Sequence, residues 1–223
     1  MQASKRVRIL TFHGLGTPTR TLPAGEDNYW LDAGFYGEIL DRVVGRPDVA
    51  ITFDDSNLSD YEIAVPALVA RRLKATFFVV SERIDQPGFL TRGQIDDMVR
   101  AGMGIGSHGT QHRPWATLAA KDLHEELNAS RATLEDLLGS PVREAACPYG
   151  SYNRRVLNAL RAAGYQRVYT SDKGQARTDE WLSARNTIMR THTIPAVEHI
   201  LHSSVTGIPA LLRSLKLTIK RYR

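Results

Sequence analysis

The sequence predicts an α/β fold, with about seven strands closing into a barrel, helices outside, in a single domain. Three observations lead there. Apolar, β-branched runs alternate with amphipathic helical stretches along nearly the whole chain. Its 223 residues suffice for one sizeable core and are few for two. No repeat, low-complexity tract or linker divides it, so 1–223 reads as one domain: a core at about 6–190 and a helical segment at 191–223.

Each element has its own local reason. Residues 7–12 are apolar and β-branched, a first strand. A helix is expected over 36–44 and a strand over 49–53. Residues 61–73 have helical spacing, interrupted by Pro66. Ala-Thr-Phe-Phe-Val-Val at 75–80 is a buried-strand run. Thr91 is placed to cap a helix over 94–101 that Gly102 closes, and 103–107 is a short strand. The longest helical pattern, 119–138, carries Leu123, Leu127, Leu134 and Leu138, and Gly139 and Pro141 stop it. A strand at 144–147, a helix at 153–163 ended by Gly164, and strands at 166–170 and 187–190 complete the alternation. The connection over 14–28 is long for a strand-to-helix loop and is expected to shape an entrance.

Composition narrows the class. No apolar run approaches the ~18–20 residues needed to span a bilayer. The first eight residues lack the apolar core and cleavage site of a signal peptide. One cysteine excludes an internal disulfide framework. A cytoplasmic location fits these facts. The net charge of +5 is matched by Arg213, Lys216, Lys220, Arg221 and Arg223, so the body is close to neutral. A nucleic-acid enzyme more often spreads positive charge around its cleft, which argues against nucleic acid as a partner. The basic tail is amphipathic, with Leu211, Leu215 and Ile219 on one stripe and Arg213, Lys216, Lys220 and Arg223 on another. The favoured reading packs it on the barrel with a solvated basic face; the alternative lays it on an anionic membrane surface.

The chemistry gathers at strand ends, where barrel active sites form. Asp54 and Asp55 follow the second strand, His108 and His112 the fourth, Pro148 and Tyr149 the fifth, and His13 the first. Two histidines four apart, with one carboxylate, suit a divalent cation and leave coordination positions open for catalysis. Each piece has an ordinary reading as well. A lone histidine pair is often surface polarity, and an aspartate pair often caps a turn. Asp96 and Asp97, inside a helical stretch, are read as a solvated face. The combination at successive strand ends favours metal. Of two adjacent carboxylates, one can hold the ion while its neighbour takes a proton from water. Cys147 ends an apolar strand and is read as a buried, inert thiol.

These residues resemble the polysaccharide deacetylase family, also called the nodulation-protein-B homology domain or carbohydrate esterase family 4. The first motif stands as Thr52-Phe53-Asp54-Asp55. The second stands as His108-Gly109-Thr110-Gln111-His112, with glycine in a serine or threonine slot. The third stands as Ala146-Cys147-Pro148-Tyr149-Gly150, with alanine in an arginine slot. The resemblance implies a distorted seven-stranded (β/α) barrel and a hydrolase that removes an N-acetyl group from an N-acetylated sugar or glycan. It implies a divalent metal, zinc first and cobalt, nickel or manganese as alternatives, on Asp55, His108 and His112. Asp54 becomes the base and the Tyr149 N–H the oxyanion donor. The family's late acid histidine is absent, and His13 resembles its permuted equivalent. Arg185 and Arg190 are candidates to replace the missing arginine. Trp115, Pro148 and Tyr149 are expected to line the substrate cleft, with Trp30 and Tyr152 as further aromatic candidates. Rival readings are a deformylase or other linear-amide hydrolase on a lipid-linked aminosugar, and a degenerate glycan-binding member without turnover.

Overall fold

The computed structural model describes residues 5–203, 218 and 220–222. The elements are β1 (Arg6–Phe12), β2 (Gly14–Leu15), β3 (Trp30–Leu31), α1 (Ala33–Val43) and β4 (Val49–Asp54). A π-helical turn (Asp60–Ala64) leads into α2 (Val65–Ala70), then β5 (Ala75–Val79), α3 (Arg92–Arg100), β6 (Gly104–Ser107), α4 (Ala120–Leu138) and β7 (Glu144–Ala146). α5 (Arg154–Ala162), β8 (Arg167–Thr170), β9 (Gln175–Arg177), β10 (Leu182–Ala184), β11 (Asn186–Thr187) and α6 (Ile194–His202) follow.

The main sheet runs β10-β8-β7-β6-β5-β4-β1-β11, with parallel neighbours, and β9 pairs antiparallel with β1. The edge strands β10 and β11 are consecutive in sequence with only Arg185 between them. The sheet therefore curls nearly to closure, and Arg185 sits at its seam. The path holds eight strands rather than the expected seven. β10 escapes a sequence reading because Leu-Ser-Ala is short and weakly apolar.

Strand alternation sorts side chains onto two faces. Leu10, Phe12, Ile51, Phe53, Phe77, Ala145 and Val168 face the helices and join the large outer core. Val7, Ile9, Phe78, Ala146 and Tyr169 form a smaller cluster on the opposite, interior face. Most expected helices end where local chemistry says they should. Asp32 caps α1 by accepting from the Phe35 N–H at 3.0 Å. Thr91 and Gln94 form a reciprocal capping box on α3. Asn153 caps α5 through the Val156 N–H at 3.1 Å. Gly139 closes α4 in the left-handed region. The expected interruption at Pro66 takes the form of a change of helix type: Pro66 stands in the first turn of α2, directly after the π-helical turn Asp60–Ala64.

Among the described residues no helix is long and apolar enough to cross a membrane. Most of the amphipathic tail, residues 204–217, lies outside the described residues. Residues 218 and 220–222 are helical. The expectation of a fully solvated basic stripe is corrected at Lys220, whose ammonium lies against the barrel, 2.8 Å from Asp172 Oδ1.

Candidate metal and catalytic site

β4 delivers the first carboxylate. Thr52 and Asp54 alternate onto the barrel interior, while Phe53 points to the helices. Arg185 grips Asp54 with two parallel bonds, Nη1 to Oδ1 at 2.7 Å and Nη2 to Oδ2 at 2.6 Å. Its Nη1 also donates to Thr52 Oγ1 at 3.3 Å. The guanidinium packs over the rings of Phe78 and Tyr169, 5.2 and 5.8 Å from their centroids. Arg185 is 1% exposed, so this is a fully desolvated, bidentate pair. Arg190 is exposed and lies 3.8 Å from Asp27, so of the two candidate arginines Arg185 meets the base.

Beyond Asp54 the chain turns sharply. Asp55 and Ser56 both take positive φ, 81° and 62°. Such conformations cost about 1–2 kcal/mol for a residue with a Cβ and persist only where neighbours over-determine them. Here Val80 N–H donates to Ser56 Oγ at 2.8 Å, Leu90 N–H to the Ser56 carbonyl at 3.0 Å and Arg83 Nη1 to the Asp55 carbonyl at 3.0 Å. The turn swings the Asp55 carboxylate away from Asp54 and toward the histidines.

Those histidines come from the loop after β6. His108 Nδ1 donates to the Ala146 carbonyl at 2.9 Å. A carbonyl only accepts, so Nδ1 carries the proton and Nε2 keeps its lone pair. His108 Nε2 lies 3.6 Å and His112 Nε2 3.0 Å from Asp55 Oδ1. Asp55, His108 and His112 thus each bring one ligand atom within 4.8 Å of the others. Asp55 Oδ1 is buried, faces both imidazoles, and lies 3.5 Å from Arg83 Nη1. An unprotonated imidazole nitrogen opposite a buried carboxylate oxygen fits a shared cation.

Glu126, reaching in from α4, shapes the loop between the two histidines. Its carboxylate accepts from the N–H groups of Thr110 at 3.0 Å and Gln111 at 3.1 Å, and from Trp115 Nε1 at 3.4 Å. It also explains Gly109. A Cβ there would lie 2.4 Å from Glu126 Oε2, and φ is +83°.

Electrostatics follow from burial and company. Burial pushes the Asp54 carboxyl up, but the charges of Arg185, His108 and His13 prevail and hold it below its ordinary value. Burial acts likewise on Asp55, and His112, His13 and His108 bring it well below the usual range. Burial lowers His108 to about 4, so its imidazole is neutral at pH 7. Asp60, buried near both aspartates, is raised well above the usual range by burial and by their charges.

The remaining expected residues divide. His13 follows β1, its Nδ1 is buried without a partner, and its ring packs 5.0 Å from that of Tyr29. Tyr149 is 70% exposed, with its ring 4.5 Å from that of His112. Its backbone is left-handed, φ 56°. Trp115 does not line a cleft: it is 0% exposed, packed in the outer core with its N–H on Glu126. Pro148 is buried too, as are Trp30 and Tyr152. The strand-end loops fold these rings inward and leave Tyr149 alone of them outward-facing. Cys147 is buried, and burial pushes its thiol up to about 12, in keeping with an inert thiol.

Two residues were missed or left open by motif reading. Glu126 carries no motif; a carboxylate one position from the Leu127 stripe reads as an ordinary helix-face charge. Arg185 could be nominated but not chosen, because its partner lies 131 positions away.

Comparison with known proteins bears on the fold and the family. The chain spans about half of the Bacillus subtilis (strain 168) relative YxkH: the two are 29% identical over 144 residues, 65% of this chain and 52% of that protein. The fold matches the Streptococcus pyogenes deacetylase PplD in complex with acetate, with a TM-score of 0.75 at 20% identity, covering 90% of this chain and 100% of that one. It also matches a de-N-acetylase from Aggregatibacter actinomycetemcomitans, with a TM-score of 0.76 at 16% identity over 88% and 100% of the two chains. At such identities these likenesses concern the fold. The family model for polysaccharide deacetylases matches residues 41–168, the stretch that runs from α1 through β4, both histidines and the Pro-Tyr-Gly turn. More than half of the sequence, including the Asp-His-His cluster, therefore fits one family description, and the chain belongs to the polysaccharide deacetylase family.

Proposed function

We propose that this chain is a divalent-metal-dependent hydrolase that removes the N-acetyl group from an N-acetylated sugar or glycan. The observation that carries the reading is the convergence of Asp55, His108 and His112 beside an Asp54 already locked to Arg185. Asp55, His108 and His112 would hold the ion; zinc suits two imidazoles and a carboxylate, and cobalt, nickel or manganese fit the same donors. When bound, such an ion acts as a Lewis acid toward the acyl carbonyl and acidifies water. Asp54, ionised and fixed by Arg185, accepts the proton of the attacking water. The Tyr149 N–H, presented by its left-handed turn, donates to the oxyanion that develops on the acyl oxygen. His13 gives a proton to the departing amine. The exposed Tyr149 ring offers an apolar face to a sugar at the mouth of the site.

The test is release of acetate from chito-oligosaccharides and a panel of N-acyl sugars by protein loaded with defined metals. Chelation should abolish release, and returning the metal should restore it. Formate in place of acetate would identify a deformylase. Bound metal with no release from any N-acyl sugar would favour a glycan-binding member.

Glu126→Ala provides a second check. Loss of its three bonds frees the loop between His108 and His112, and the metal dissociation constant should rise about 10–100-fold. Chelator competition on folded protein measures this directly. An unchanged constant would show that the loop holds its shape without the carboxylate.

A further inference from the structure

The Pro-Tyr-Gly turn has an uncommon backbone. Tyr149 and Gly150 are both left-handed, at φ 56° and 60°. A non-glycine residue in that region needs external restraint. Within the turn, the Gly150 N–H bonds the Cys147 carbonyl and the Ser151 N–H the Pro148 carbonyl, each at 2.9 Å. Those bonds close the turn on itself, while at its two ends the Cys147 N–H bonds the Tyr169 carbonyl at 2.9 Å and the Ala116 N–H bonds Ser151 Oγ at 3.2 Å.

A residue some seventy positions later reaches the middle of the turn. Lys220 Nζ donates to the Gly150 carbonyl at 2.9 Å and to Asp172 Oδ1 at 2.8 Å. Its ammonium lies 4.0 Å above the Tyr152 ring centroid, and that tyrosine's hydroxyl donates to Asp172 Oδ2. Thr170 Oγ1, at the end of β8, donates to the same oxygen at 2.8 Å. Asp172 is largely buried, so its carboxylate gains from a cation and fixed donors. The chain of contacts runs from strand β8 through Asp172 and Lys220 to the carbonyl that follows Tyr149.

We infer that Lys220 is a positioning residue: its ammonium ties the Pro148–Gly150 turn to the Asp172 carboxylate, and so holds the Tyr149 N–H where the oxyanion forms. This rests on the reading of that N–H as the oxyanion donor. It gives Lys220 a role beside the site rather than on a solvated surface.

The experiment uses the full chain, metal-loaded, with an N-acetylated chito-oligosaccharide as probe. Lys220→Met should lower kcat by about 10- to 100-fold, the range expected when a catalytic group is misplaced by about an ångström. KM and the metal dissociation constant should stay within about twofold, because neither the ligands nor the exposed Tyr149 ring is touched. Lys220→Arg, which keeps charge and donors, should stay closer to the wild type. Asp172→Asn combined with Lys220→Met should be no worse than Lys220→Met alone, since both break one chain of contacts. Amide hydrogen exchange supplies a readout independent of turnover. In Lys220→Met, exchange over 147–152 should speed up by about tenfold or more, with 108–112 unaffected. A variant with lowered thermal stability but unchanged kcat and unchanged exchange over 147–152 would overturn the inference. If the wild type deacetylates no probe, the functional reading fails separately, and exchange alone still decides whether Lys220 holds the turn.

Discussion

Arg185→Met should unfold with a loss of about 3–5 kcal/mol and retain little turnover, because it leaves the Asp54 carboxylate buried without its cation. Urea unfolding of the apo protein measures the first effect, and steady-state kinetics of the metal-loaded protein the second. The double variant Arg185→Met with Asp54→Asn should recover part of the stability and none of the turnover, since the neutral amide removes the uncompensated charge and also the base. The pH dependence has a definite sign. In the wild type the Asp54 carboxyl is held below its ordinary value. Its contribution is therefore complete above the ordinary carboxylate range and is lost as pH falls through the lowered value. Without Arg185 the chief lowering influence is gone and burial dominates. The carboxyl then rises, and its contribution is lost as pH increases. The stability gap between wild type and variant should narrow in acid. A gap under about 1 kcal/mol at neutral pH would contradict a buried, bidentate pair of this importance.

His13→Gln should lower kcat by about 10²–10⁴-fold, the span usual for a general acid, with metal content and KM unchanged. Glutamine keeps much of the ring's size and polarity but transfers no proton at these pH values. The imidazole follows β1, its Nδ1 is buried and unpartnered, and its charge is among those that lower both aspartates. A substrate whose departing amine is a weaker base needs less proton assistance, so the variant should lose less on an N-acetylated aryl amine than on an N-acetylated sugar. Unchanged turnover on the sugar would remove His13 from the mechanism.

The strands and helices that carry motifs were legible because their local chemistry is strong. Residues 75–80 are all apolar or β-branched, and β5 spans Ala75–Val79. Thr91 and Gln94 announce α3 by themselves. Elements without a periodic signal were not. β9 and the two-residue β2 and β3 are held by neighbours rather than by propensity, whereas α6, with Pro195 in its first turn, falls within the helical segment expected over 191–223. Aromatic residues near motifs were the least legible. Trp115 lies just past His112 in sequence, yet the loop folds it into the outer core, where a large apolar ring gains most.

What the sequence by itself determined was the chemistry at the strand ends: the Asp54-Asp55 pair, the four-residue spacing of His108 and His112, and the Pro-Tyr-Gly turn, all local strings whose meaning travels with them. What only the tertiary structure decided was which distant side chain completes each piece. Arg185 reaches Asp54 because the sheet's first and last strands curl together at its position. Glu126 reaches the histidine loop from the middle of a helix, and Lys220 reaches the turn from far along the chain. The first pairing depends on closure of the barrel and the other two on how elements pack around it, tertiary properties that no short window of residues encodes.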